Sequence, residues 1–270
     1  MKYLSVAVLG AAAVVAGCGS DSNDVISTNA VGYFGDVNMR TAQVTGSGGA
    51  AANISVNGDD TVTVVMTEGP DAGQSANFYP DGSGGFVSDD ADAYLQLGYF
   101  NNPAIKEGPV VALIEVEPGG DDLTFTAVRS TNGMTPASEM PLTGTAVYRG
   151  NHLGGAAVTD YSLPFPPSTL DYIEGGFQAN VNFGTGQLAG AMQSDMGDIT
   201  FDATIQGSEF NSNPNSIAIA NDYGLINQGA SGVEGGFYGP AAAGMAGTYL
   251  LNGAGDLTGS GAVGTFIADR

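Results

Sequence analysis

EGGFYGPAAAGMAGTY, residues 234–249, carries two strand-like runs separated by a break. Phe237-Tyr238 end the first run, Gly239-Pro240 interrupt it, a set of small residues follows, and a second run starts near Met245. The segment reads as a β-hairpin with a plug at its tip. Gly235 and Gly236 allow the backbone to bend or pack closely within a strand, as barrel corners require. Pro240 fits the first turn of a short helix, where its missing N–H goes unused, so the small residues after it are expected to make about one helical turn.

Outward from this hairpin the pattern is period two. Ile173, Phe177, Ala179, Val181 and Phe183 share one face of residues 173–183, with Glu174, Gln178, Asn180 and Asn182 on the other. Ile199, Phe201, Ala203 and Ile205 oppose Asp198, Thr200, Asp202, Thr204 and Gln206 in the same way. Successive strand side chains point to opposite faces, so each strand has one buried and one wet side. Candidate strands at 143–149, 154–158, 173–183, 187–191, 198–206, 216–220, 232–238, 245–251 and 262–268 give eight or nine. The expectation is an eight-stranded antiparallel β-barrel over residues 135–270, whose interior side chains fill or in which one small ligand fits. A transmembrane barrel would need lipid-facing apolar bands with aromatic girdles and no acyl anchor, and is set aside.

Three blocks in this half carry a family resemblance. Gly235, Phe237, Tyr238, Gly239, Pro240, Ala242, Ala246 and Gly247 are followed by Gly264 and Phe266. MPLTGTAVYRG supplies Gly144, Thr145, Ala146, Tyr148 and Gly150, and VNFGTGQLAG supplies Val181, Phe183, Gly184, Leu188 and Gly190. In this order they resemble the C-terminal β-barrel of the transferrin-binding protein B-like surface lipoproteins, whose relatives include haemophilin-type haem binders and the factor H-binding protein. The resemblance covers residues 136–270. It implies a barrel closed by the last hairpin and a handle-like region before it. It also implies capture of a protein, haem or another iron source for delivery to an outer-membrane receptor.

The N-terminal half, residues 32–134, reads as a β-rich region without a matching motif. Asn57-Gly58-Asp59-Asp60 lies between strand-like runs at 54–57 and 61–66, a hairpin signal because Asn-Gly tolerates positive φ. Further strands are expected at 93–99, 110–116 and 123–128, making a sheet of five or six. Asp81 to Asp92 is acidic and glycine-rich. Clustered carboxylates on glycine turns can wrap Ca²⁺, but the spacing departs from the EF-hand pattern, so no metal site is assigned. Residues 130–140 read as a linker into the barrel.

Residues 1–17 have one early Lys2 and an apolar, alanine-rich run, as a secretory leader does. Val15-Ala16-Gly17-Cys18 matches the bacterial lipobox, in which the cysteine is lipidated and becomes the first mature residue. Cys18 is the sole cysteine, so no intrachain disulfide forms. Several acyl chains on one residue anchor stably where one chain is marginal. No aspartate follows the cysteine, which places the chain in the outer membrane, and the resemblance favours its outer face. Residues 18–31 are polar and small and read as a flexible tether.

The formal charge is −22, from 6 basic and 28 acidic side chains. Loss of the leader removes Lys2 and leaves about −23. Such a charge disfavours nucleic acid and anionic lipid and favours a soluble monomer. His152 is the sole histidine, which alone builds neither a zinc site nor a triad. With 28 acids no carboxylate pair stands out as acid and base, so no enzyme is expected. Placed at a hairpin tip or barrel rim, His152 could ligate haem iron, with Tyr148 or Tyr161 as second ligand. The stretch Tyr161 to Pro167, YSLPFPP, is stiffened by proline and offers Tyr161, Leu163 and Phe165 as contact area, either for a partner or for capping the barrel. The functional expectation is a lipid-anchored surface protein binding an extracellular ligand through His152, Tyr148, Tyr161 and Phe165. The alternative is a non-catalytic coat or adhesion scaffold.

Overall fold

The computed structural model of the chain describes residues 26–105, 108–117, 121–159, 168–194, 197–220, 229–254 and 258–270. The leader and Cys18 lie outside these. Eight strands come first: Ile26–Asn38 (β1), Gln43–Val56 (β2), Val62–Glu68 (β3), Ser75–Pro80 (β4), Phe86–Ser88 (β5), Ala93–Gly98 (β6), Val111–Val116 (β7) and Asp122–Ser130 (β8). A 3₁₀ turn at Ala137–Glu139 leads into Thr145–Thr159 (β9), Ser168–Asn182 (β10), Gln187–Met192 (β11), Asp198–Gln206 (β12), Glu209–Ser212 (β13), Ala218–Ala220 (β14), Gly232–Tyr238 (β15), Gly244–Asn252 (β16) and Gly261–Asp269 (β17). The chain is all-β, as its period-two patterning requires.

β1 to β8 pair in sequence order, and β1 pairs antiparallel with β8, with Gly32 opposite Val128, so the N-terminal half is itself a closed eight-stranded barrel. In the C-terminal half β9 to β13 and β15 to β17 close a second ring through β9–β17 and β11–β12 pairing, while β14 adds a short partner to the start of β12. Closure removes the free edges that would otherwise invite pairing with another chain.

The C-terminal barrel is filled by rings. Phe177 and Phe266 stack with centroids 4.4 Å apart and planes 14° from parallel, and Phe201 and Phe210 tilt against Phe266. Tyr148, Phe183 and Phe210 surround Phe237 at centroid distances of 5.6–5.7 Å. Gly190 and Gly247 make room, because a Cβ there would stand 2.3 Å from the Phe201 ring and 2.2 Å from the Phe266 ring.

Several expectations change. The tether is shorter than residues 18–31, because β1 starts at Ile26 and Thr28 and Ala30 are already buried. The five or six N-terminal strands are eight. The runs at 143–149 and 154–158 are one strand, β9, and β13 is additional, so the C-terminal ring still counts eight. After Tyr238 the small residues form an irregular turn, not a helical one, with positive φ at Gly239, Ala241 and Ala242. It remains a plug, since Ala242 is fully buried in the core cluster. In the 57–60 turn the positive φ falls on Asp60.

The two barrels pack side by side. Val37, Leu113, Leu123, Phe125 and Ala127 from the first meet Leu153, Ala157, Leu250 and Val263 from the second in one buried cluster. Gly155 allows this approach, because a Cβ there would lie 2.3 Å from the Phe125 ring.

Candidate functional site

Like ends of the two barrels lie together. At one end Ile26 begins β1, the Tyr238 hydroxyl donates to the Ser130 carbonyl, and Met134 forms a bridge with Tyr238. At the other end the Ser47 hydroxyl is 3.5 Å from Asn252 Oδ1, and Val44 closes on Gly261. The 13 residues of β1 run between these ends, a rise of roughly 40 Å at about 3.3 Å per residue. Thr159 and Ser168, which flank the proline-containing loop, therefore stand at the end away from the chain entry, since Ala157 pairs with Gly261 there. Tyr161 and Phe165 themselves lie outside the described residues.

His152 is not at a rim. It sits in mid-β9, 1% exposed, inside the C-terminal barrel. Nε2 is 2.6 Å from the Gln193 carbonyl, an acceptor only, so Nε2 carries the proton and Nδ1 accepts from the Tyr249 hydroxyl at 3.3 Å. Burial lowers the imidazole pKa, the Gln193 carbonyl opposes part of that shift, and the ring stays neutral. Both nitrogens are engaged, so His152 does not fit as an axial haem ligand. Tyr148 is equally buried. Its hydroxyl donates to the Ala242 carbonyl, tying β9 to the plug, and burial raises its pKa. The signal for this was present, because Ala146, Tyr148 and His152 share one parity within a single strand.

The carboxylates of the 81–92 loop mostly serve their own turns. Asp81 accepts from the Ser83 and Gly85 amides at 2.7 and 3.1 Å, and Asp90 from the Ser88 hydroxyl at 2.6 Å. Among the described residues no three of His, Cys, Asp and Glu are grouped so as to hold a metal ion.

Between the barrels lies a charged cluster that sequence reasoning missed. Arg129 of β8 is 4% exposed and pairs with Glu209 of β13 at 3.0 Å, while Tyr33 of β1 reaches Glu234 of β15 at 3.5 Å. Burial raises the Glu234 pKa, and Arg129 offsets part of that shift. Residues more than 70 positions apart in sequence meet here, so no local pattern could reveal it.

Two openings stand out among the described residues. A groove of about 490 Å³ on the C-terminal barrel is bordered by Thr145, Asn180, Asn182, Gln187, Asp202 and Asn213. A cavity of about 440 Å³ opens at the far end of the N-terminal barrel, with Asp71, Asp90, Asp92 and Glu117 among its lining.

The second ring is thus an eight-stranded up-and-down antiparallel barrel with a glycine-proline plug. Residues 140–270 match the family model described as the C-lobe and N-lobe β-barrels of Tf-binding protein B. The match spans the C-terminal barrel, just under half of the chain. Among solved structures, a mutant transferrin-binding protein B from Haemophilus parasuis Hp5 is similar at 12% identity and TM-score 0.40, covering 91% of this chain and 76% of that one. HpuA from Kingella denitrificans, solved in complex with human haemoglobin, is similar at 13% identity and TM-score 0.39, covering 93% and 89%. Transferrin-binding protein B from serogroup B Neisseria meningitidis is similar at 14% identity and TM-score 0.35, covering 92% and 77%. At these TM-scores the overlaps carry no argument about ligand. No curated protein sequence matches.

Proposed function

We propose that this chain is an outer-membrane lipoprotein, acylated at Cys18 and displayed on the cell surface, that captures an extracellular protein or iron source at the end of its paired barrels farthest from the anchor. The observation that carries the reading is the polarity of the molecule. The chain enters at one end, and the loop between β9 and β10 leaves from the other. The match of residues 140–270 supports it, since the family model is described by a transferrin binder. In this reading Tyr161 and Phe165 meet the partner, while His152 and Tyr148 hold the barrel interior together. Delivery then passes to an outer-membrane receptor. No step of the reading requires catalysis, nucleic acid or a second copy of the chain.

The test uses residues 19–270, which retain every described strand, immobilised through the N-terminus and exposed in turn to haemoglobin, transferrin and haemin. Saturable binding of one of them, weakened at least tenfold by Tyr161→Ser with Phe165→Ser, is expected. Haemin is expected to give no Soret shift that depends on His152, and such a shift, lost in His152→Ala, would overturn the interior role given to that residue. Failure of all three to bind would leave the surface coat or adhesion scaffold as the better reading. Cys18→Ala in cells is expected to remove the chain from the outer-membrane fraction.

A further inference from the structure

The two barrels have the same strand number but different fillings. Strand number sets barrel width, so equal rings enclose similar interiors. The C-terminal core cluster contains eight aromatic rings, whereas that of the N-terminal barrel has Phe78 and, partly buried, Phe34 and Phe86. The first part of the inner face of β2 is Gly46, Gly48, Ala50 and Ala52, set by their register against Asp36, Phe34, Gly32 and Ala30, and Ile54 and Val56 continue it. A cavity of about 440 Å³ lies at one end of this less aromatic interior, lined chiefly from β3, β4, β7 and the turns beside them. The apolar part of its wall is made by Val64, Met66, Ala76, Phe78, Ile114 and Val116. That volume lies within the range of small-ligand sites, roughly 300–1,000 Å³.

The charged groups at the opening are of one sign, among neutral Gln74, Ser75, Ser88 and Thr126. Asp71, Asp90, Asp92 and Glu117 line it, and Asp36 stands close enough to Asp71 to add to the burial that raises the Asp71 pKa. Among the described residues the ion pairs are Arg40–Asp121 and Arg129–Glu209, so none of these five carboxylates is in one of them. Their spacing does not suit a bare metal ion. An anion such as haem, with its propionates, would meet like charge. A molecule with an apolar body and a cationic head satisfies both parts of the lining, the body against Phe78 and Ile114 and the head among the carboxylates.

We propose that the N-terminal barrel binds an amphiphilic organic cation, an ammonium or guanidinium compound with an apolar body, in its acid-mouthed cavity. The site is in the other barrel from the proposed partner loop and does not depend on that reading. It opens toward the same end, away from the chain entry.

Calorimetric titration of residues 19–270 with 4-phenylbutylamine tests this, beside 4-phenylbutyrate, which reverses the head-group charge, and butylamine, which lacks the ring. Saturable one-to-one binding of the phenylbutylamine, at least tenfold tighter than either comparison compound and weakened by added salt, is expected. Asp90→Asn with Asp92→Asn is expected to weaken binding about tenfold, because it removes two of the charges that meet the cationic head. Ala76→Phe should fill the cavity and abolish binding. The carboxylate pair is a second variant that leaves the wall intact. Absence of phenylbutylamine binding, equal affinity for phenylbutyrate, or binding indifferent to both variants would overturn the proposal.

Discussion

Glu115 is the residue whose environment most opposes its ordinary charge. It lies on β7 opposite Tyr94 and Phe125, and its Oε2 is buried without a hydrogen-bond partner. Burial, with Glu117 nearby, pushes its pKa from 4.5 up to about 7. Between those values the folded chain holds more protons than the unfolded one, so stability falls as pH rises through that window and stays lowered above it. Glu115→Gln copies the protonated form. Its thermal midpoint should match the parent's near pH 4 and exceed it by a few degrees at pH 8. Equal midpoints at pH 8 would show the carboxylate to be solvated. His152 titrates with the opposite sign. Its lowered pKa means that stability is lost as pH falls below the ordinary imidazole value of about 6.5.

At the scale of the element, β9 does two jobs. Its inward face, with Ala146, Tyr148, His152 and Ala156, packs the C-terminal core, and its outward face, with Leu153, Gly155 and Ala157, lies against the first barrel. Gly155→Val places branched carbons where the Phe125 ring stands, and overpacking of this kind costs about 1–3 kcal/mol. The urea midpoint should fall accordingly, while Arg149→Val, exposed on the same strand, should change stability by no more than about 0.5 kcal/mol. Comparable losses for both would mean that the seam yields without cost. On β17, Phe266→Ala removes the ring that Phe177, Phe201 and Phe210 all contact. A loss of about 3–5 kcal/mol is expected, read by the same urea titration.

At the scale of the whole molecule the seam is a third core. Phe125 and Leu113 are covered by residues of the other ring, and a second patch joins Ile105, Val110 and Val111 to Tyr238 and Ala246. Barrels sharing this much apolar surface should unfold together. Calorimetry of residues 19–270 should show one transition in which both halves melt, with a calorimetric enthalpy equal to the van't Hoff value. Two resolved transitions would show that the barrels are independently stable. The buried Arg129 with Glu209 and Glu234 fixes how the rings meet, because a misaligned docking would strand a guanidinium in an apolar seam.

The all-β class, the inward faces of 173–183 and 198–206, and the barrel-closing hairpin at 234–249 were legible in sequence alone, since strand alternation and glycine placement are local properties. Closure of the N-terminal ring was not. It joins residues 30–38 to 122–130, and no local pattern records a pairing across such a separation. From Gly46 to Ala52 the inner face of β2 is glycine and alanine, so only its end, Ile54 and Val56, carries the apolar alternation that marks a strand. In β9 the outward face changes from exposed Arg149 and Asn151 to Leu153, Gly155 and Ala157 against the other barrel, so no single alternation runs through it, which split the strand at 150–153 and put His152 at a rim. Tertiary structure decided those points, because what a strand face touches depends on the partner it meets, and only the packed pair of barrels supplies that partner.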